Sequence, residues 1–439
     1  MDKKIIIFSL IAFIAVIGIA AAVTAGHTAT QPVTGEDTSA ETSHMESSVM
    51  ESSTQSTSVP PSFATEVPSQ TVSHTEATTV STAAPTKPTA PSTAEDYLSQ
   101  MSLHEKVCQM FIVTSEQLLG VQSTVTTADD ASRVALTRYP VGGIICFASN
   151  IVDRAQTIAL TSNLQKYSKL GLFISVDEEG GRVTRIASNP AMGTTLFPAM
   201  GEIGDANQVY NVGKTIGQEI SNLGFNLDFA PVADVNSNPA NTVIGTRAFS
   251  SDAKTAATLV SSCVKGFLNS RMLCTLKHFP GHGDTMTDSH YGDALQTKTL
   301  EQLEACEFLP FKAGIESGAP FVMMGHIMSP NVEDDNLPAS ISHFWVTEIL
   351  KNRLGFTGIV ITDAMRMKAI TDRYSSAEAA VMAVNAGIDI ILMPDDLQQA
   401  VEGIEKAVSD GTISEERINE SVRKILSIKI EYGIISLHK

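Results

Sequence analysis

The stretch Leu273-Cys274-Thr275-Leu276-Lys277-His278-Phe279-Pro280-Gly281-His282-Gly283-Asp284 changes character halfway along. Residues 273–276 are apolar or β-branched and lack turn formers, which predicts a buried strand. Lys277 and His278 stand at its end. Pro280, Gly281 and Gly283 then forbid a helix, so a loop leaves the strand there. Reading outward, the same unit recurs. Apolar runs lie at 110–113, 143–147, 172–176, 225–232, 273–276, 321–324, 359–362 and 388–392, eight in all. Amphipathic segments such as 153–169, 207–223, 253–269 and 300–317 separate them. The last helix places Ile418, Val422, Ile425 and Leu426 on one face, with Ser414 as its N-cap. Apolar strands alternating with helices predict a parallel sheet covered on both faces. Eight such units predict an α/β fold of the TIM-like (β/α)8 barrel type. A doubly wound open sheet is the alternative.

The barrel reading carries its own check, because active sites of such barrels gather at the C-terminal ends of the strands. Here the third run ends in Asp177-Glu178-Glu179-Gly180-Gly181 and the fourth leads to Asp234. The fifth ends in Lys277-His278, the sixth in His326, the seventh in Asp363 and the eighth in Pro394-Asp395.

The 439 residues divide into three compositions. Residues 1–26 carry Lys3 and Lys4 ahead of an uncharged apolar stretch, the pattern of an export signal or, if uncleaved, a signal anchor. Residues 27–93 hold 29 Ser or Thr and 7 Pro, too few large apolar side chains to offset chain entropy, and predict a disordered linker. Residues 94–439 read as the folded domain. The domain is therefore expected outside the cell or tethered to the outer face of the cell membrane or wall, with the N-terminal segment as its one membrane contact. Thirty basic against 48 acidic residues give a net charge of −18. That balance argues against nucleic acid, which calls for clustered Lys and Arg. The five cysteines, Cys108, Cys146, Cys263, Cys274 and Cys306, are odd in number and widely spaced. They read as buried free thiols rather than a disulfide framework.

Four motifs carry chemistry. The loop from Lys277 runs on through Asp284 to Asp288-Ser289-His290, where the carboxylate can reach the imidazole and orient it for acid/base work. The same His/Asp density also suits a metal. Asp363, directly after an apolar strand, can be a nucleophile, a metal ligand or a helix N-cap. Asp177 and Arg185, with Arg247 in a later loop, can hold a polar ligand or form structural ion pairs.

Taken together and in order, these motifs resemble glycoside hydrolase family 3, on the branch of its β-N-acetylhexosaminidases. The resemblance covers 94–439, and the segment from Lys277 to His290 is its most specific part. It implies an exo-acting retaining enzyme that releases terminal N-acetylglucosamine from peptidoglycan fragments or related glycosides. Asp363 matches the nucleophile, His290 the acid/base and Asp288 its partner. Asp177, Arg185, Arg247, Lys277 and His278 match the positions that hold the sugar. No cofactor and no metal are implied; the partner is a carbohydrate and the chain is expected to be a monomer. Ala364 stands where many relatives have a second Asp. The α/β domain that follows the barrel in some relatives is expected to be missing. Two other readings compete: a metal-dependent barrel hydrolase built on His278, His282, His290 and Asp284, and a non-catalytic wall-binding relative.

Overall fold

The structure, a computed structural model, describes residues 92–285 and 292–435. The expected export segment, almost all of the linker, and both Asp288 and His290 lie outside the described residues. Ser92 and Thr93 do not behave as linker. Thr93 caps the helix Ala94–Leu98 by accepting from the Asp96 N–H, and Asp96 accepts from the backbone of both residues in return.

The eight expected strands all form: β1 Phe111–Val113, β2 Gly143–Ile145, β3 Phe173–Val176, β4 Leu227–Asp228, β5 Leu273–Phe279, β6 Phe321–Met324, β7 Ile359–Thr362 and β8 Ile391–Leu392. Every residue of these strands is buried, as expected of a sheet covered on both faces. Their order is β8-β1-β2-β3-β4-β5-β6-β7, and every pair is parallel. β7 returns to the start of the ring through an Ile361–Ile390 bridge, with the Thr362 N–H donating to Ile390 O at 3.1 Å. A doubly wound sheet reverses direction at a switch point. This sheet runs in chain order throughout and forms a nearly closed barrel.

The helices follow from caps and stripes. Ala253–Asn269 starts at Asp252, whose side chain accepts from the Thr255 N–H, and buries Ala256, Leu259, Val260, Cys263, Val264 and Phe267. Glu415–Glu431 has Ser414 as its N-cap and buries Ile418, Val422, Ile425 and Leu426, as its sequence predicts. The single helix expected over 300–317 is instead two, Leu300–Ala305 and Phe308–Glu316. The break has a local cause: Pro310 has no N–H to give to Cys306, and its ring would clash with that carbonyl. Four cysteines are buried, Cys306 is half-buried, and all five are free. Among the described residues, no helix is long and apolar enough to cross a membrane.

Candidate active site

The loops after the strands enclose a cleft of about 1210 Å³ at the C-terminal end of the barrel. Asp177, Arg185, Arg247, Lys277, His278 and Asp363 all line it, so six of the eight side chains singled out from the sequence share one cavity.

Lys277, near the end of β5, is the hub of the polar wall. Its ammonium is 2.7 Å from Asp177 Oδ1 and 2.6 Å from Glu179 Oε1, with 3% of the side chain exposed. Glu179 also takes Arg247 in a bidentate grip, accepting from Nε and Nη2 at 2.8 Å each. Paired N–H···O bonds of this kind fix orientation as well as adding energy. Burial opposes the charge on Glu179, but Arg247 and then Lys277 outweigh it and hold the carboxyl far below its usual range. Burial likewise disfavours the Lys277 ammonium, while Asp177 and Glu179 more than compensate and push its pKa up. Arg185 sits 3.8 Å from Asp177 Oδ2 and over the Phe147 ring, and its buried Nε has no hydrogen-bond partner among the described residues. A bound sugar hydroxyl or amide carbonyl would supply that acceptor.

Asp177 and Glu179 owe their positions to a short hairpin, Glu178–Gly180 against Val183–Thr184. Buried Glu178 braces its far side, accepting from the Arg185, Ile186 and Ala187 N–H groups at 2.8 to 3.0 Å. Arg182 reaches across to the Thr242 and Val243 carbonyls, tying the hairpin to the loop that carries Arg247.

His278 is oriented by a residue outside the expected binding set. The fully buried Asp234 Oδ2 lies 2.8 Å from His278 Nδ1, and Asp234 Oδ1 accepts from the His282 N–H at 2.7 Å. Burial raises the Asp234 pKa, but the His278 ring outweighs it and keeps the carboxyl below its usual range. An ionised carboxylate only accepts, so Nδ1 carries a hydrogen toward Asp234 and the ring is held in one orientation. His282 Nδ1 is 2.6 Å from Thr285 Oγ1, and burial together with His278 lowers its pKa. Gly283 allows this packing, since a Cβ there would stand 1.7 Å from Val235 O.

Asp363 follows β7 directly. Its N–H donates to Met324 O at 2.8 Å and its Oδ1 accepts from the Ala364 N–H at 2.7 Å. The N-cap alternative fails, because the next helix begins at Lys368 with Met367 before it. The turn is held from β6 by buried His326, whose Nε2 lies 3.0 Å from Ala364 O while Nδ1 lies 2.7 Å from Ser340 Oγ. His326, read from the sequence as a polar strand end, is thus a brace for the Asp363 turn. Ala364 leaves this bonding intact through its backbone.

The site therefore has two poles in one cleft, a carboxylate at the end of β7 and an ion-paired wall from β3 to β5. Asp288 and His290, expected to complete it, lie outside the described residues. Among the described residues, no group of three or more His, Cys, Asp or Glu side chains is placed to hold a metal ion. Asp284, the carboxylate of the competing metal reading, pairs instead with Ser237 and Lys298. Glu179, Asp234 and His326 lie outside the eight expected site residues, although all three stand in or beside the strand-end motifs.

Comparison with known proteins agrees with the barrel fold. Residues 102–428 match the family described as glycosyl hydrolase family 3 N terminal domain. Beta-hexosaminidase A of Pseudoalteromonas piscicida is 34% identical over 341 residues, which cover 70% of this chain and 56% of that protein. Beta-hexosaminidase of Xylella fastidiosa is 34% identical over 65% of this chain and 86% of its own length. Among solved structures, a glycoside hydrolase family 3 β-N-acetylglucosaminidase from Paenibacillus sp. superposes with a TM-score of 0.71 at 37% identity. That match covers 77% of this chain and 65% of the Paenibacillus chain.

Proposed function

This chain belongs to glycosyl hydrolase family 3, and on that premise we propose that it is an exo-acting retaining β-N-acetylhexosaminidase. It removes terminal N-acetylglucosamine from peptidoglycan fragments or related glycosides. The observation that carries the reading is the shared cleft, in which Asp363 faces a wall of Asp177, Arg185, Arg247, Lys277 and His278. An N-acetylated sugar is neutral and rich in donors and acceptors. A wall whose cations are already paired with Asp177 and Glu179 can bind it through hydrogen bonds without leaving a buried ion unpaired.

The reaction has two steps. An Asp363 oxygen forms a bond to the anomeric carbon as the glycosidic bond breaks, and the bonding pair leaves on the aglycone oxygen, which takes a proton from His290. Water then attacks the anomeric carbon and gives a proton to His290 as the carboxylate departs. Two displacements retain the anomeric configuration. Asp288 orients the imidazole and stabilises its protonated form. The expected N-terminal signal and linker would deliver the domain beyond the cytoplasmic membrane, where cell-wall glycans are in reach.

A slow fluorinated N-acetylglucosaminide should leave a glycosyl adduct, located by mass spectrometry on the peptide containing Asp363. Asp363→Ala should abolish the adduct and cut turnover of an aryl N-acetyl-β-glucosaminide on the order of a thousandfold or more. An adduct elsewhere, or unchanged turnover, overturns the assignment. Product analysis on digested peptidoglycan against chitobiose, with and without phosphate, identifies the glycan and the acceptor.

A further inference from the structure

One charged cluster lies behind the cleft rather than in it. Lys298 Nζ is 2.5 Å from Glu307 Oε1, 3.0 Å from Ser237 Oγ and 3.5 Å from Asp284 Oδ1. Ser237 Oγ in turn lies 3.1 Å from Asp284 Oδ1 and 3.3 Å from Glu307 Oε1. Glu307 is completely buried, and 21% of the Lys298 side chain is exposed. None of these four residues lines the cleft.

What they join is informative. Asp284 stands on the chain leaving β5, and Lys298 stands where that chain returns, just after Ala294–Leu295 pairs with Ile327–Met328. Ser237 lies in the loop after β4, and Glu307 at the break between the two helices that follow. Further bonds join the same parts: Gln296 Nε2 donates to Gly281 O at 3.4 Å and Asn238 Nδ2 to Asp284 O at 3.2 Å. Gly281, at φ +127°, packs so closely that a Cβ would stand 2.5 Å from Glu307 Cγ. Departing and returning stems thus meet on one ammonium. Removing it would leave Glu307 buried without its cation and Asp284 without a partner across the stems, a large penalty for a buried pair. Burial already pushes the Glu307 carboxyl up, and Lys298 counters it.

We propose that Lys298 is a positioning residue. Through Asp284 and Glu307 it fixes both stems of the segment containing Asp288 and His290, and thereby sets how well the proton reaches the leaving group. The inference rests on the reading of His290 as the acid. Proton donation matters most for a basic leaving group and little for an acidic phenol, whereas a general loss of folding or sugar binding lowers both alike.

The test compares kcat/KM, which reports glycosylation, for the dinitrophenyl glycoside and for chitobiose. In Lys298→Met, chitobiose should fall by about tenfold or more while the dinitrophenyl glycoside stays within about threefold. Lys298→Arg should recover most of the chitobiose rate. Equal losses on both substrates, or none on either, overturn the proposal. His290→Ala, run in parallel, must show the same selective loss. If it does not, the acid assignment fails and the inference with it. If His290→Ala is selective and Lys298→Met is not, the inference alone falls. Should Lys298→Met not fold, Ser237→Ala, which removes the hydroxyl between Asp284 and Glu307, is judged by the same ratio.

Discussion

Glu179 holds two of the five side chains expected to bind sugar. Its carboxylate is 3% exposed and spans Arg247 and Lys277, so both cations are rigid before any ligand arrives. Glu179→Ala should cost about 3 to 5 kcal/mol, because it strands Arg247 with no carboxylate in a buried place. It should also weaken binding of free N-acetylglucosamine more than Asp363→Ala does. Chemical unfolding and calorimetric binding constants check the two parts, and wild-type affinity for the sugar would show that preorganisation by Glu179 is unimportant. Arg247, Lys277 and His278 were legible because they stand in the motifs that carry the family resemblance, which matches them to sugar-holding positions. Glu179 and Asp234 were not, because their jobs are defined by partners 68 and 44 positions away. Such carboxylates read as ordinary strand-end polarity until the chain is folded around them.

Among the strands and helices, local rules were nearly sufficient. All eight strands appear where the apolar runs predicted them, since a β-branched, uncharged run bounded by turn formers has few alternatives. Where the helical expectation fails, at Cys306 and Glu307, the cause is also local: Pro310 interrupts the amphipathic pattern. That break matters because it frees Glu307 to turn inward toward Lys298. Ser414 is the converse case, a cap read correctly from the sequence. Its side chain accepts from the Arg417 N–H at 3.1 Å, satisfying one donor at the start of the 17-residue helix that ends the barrel. Ser414→Ala should cost about 1 kcal/mol in a denaturant melt, and Ser414→Asp should restore it. No loss in Ser414→Ala would mean that water serves as well.

The whole barrel is closed by contacts between its first and last elements. Lys429, on that final helix, is fully buried and donates to Gln109 Oε1 and Gly171 O at 2.8 Å each, with the Phe173 ring 5.1 Å away. Burial pulls its pKa from 10.5 down to about 7. Between these values the unfolded chain binds a proton that the folded chain does not, so stability from this group rises with pH from about 7 to 10.5 and is level below. Lys429→Met should flatten that rise, as read from melting temperatures across the window. An unchanged pH profile would mean that Lys429 stays charged in the fold.

Alternation of apolar runs with amphipathic segments, and polar residues repeated at the strand ends, were enough to read the barrel and the end of it that carries chemistry. Both signals are periodic and local, and short-range geometry converts them directly into strands, helices and their exposed tips. The pairing of Lys277 with Asp177 and Glu179, the orientation of His278 by Asp234 and the joining of two loop stems by Lys298 were decided only on folding. Electrostatic partnership acts through space over a few ångströms, and a linear chain holds no record of which distant charges the closing barrel will bring to that distance.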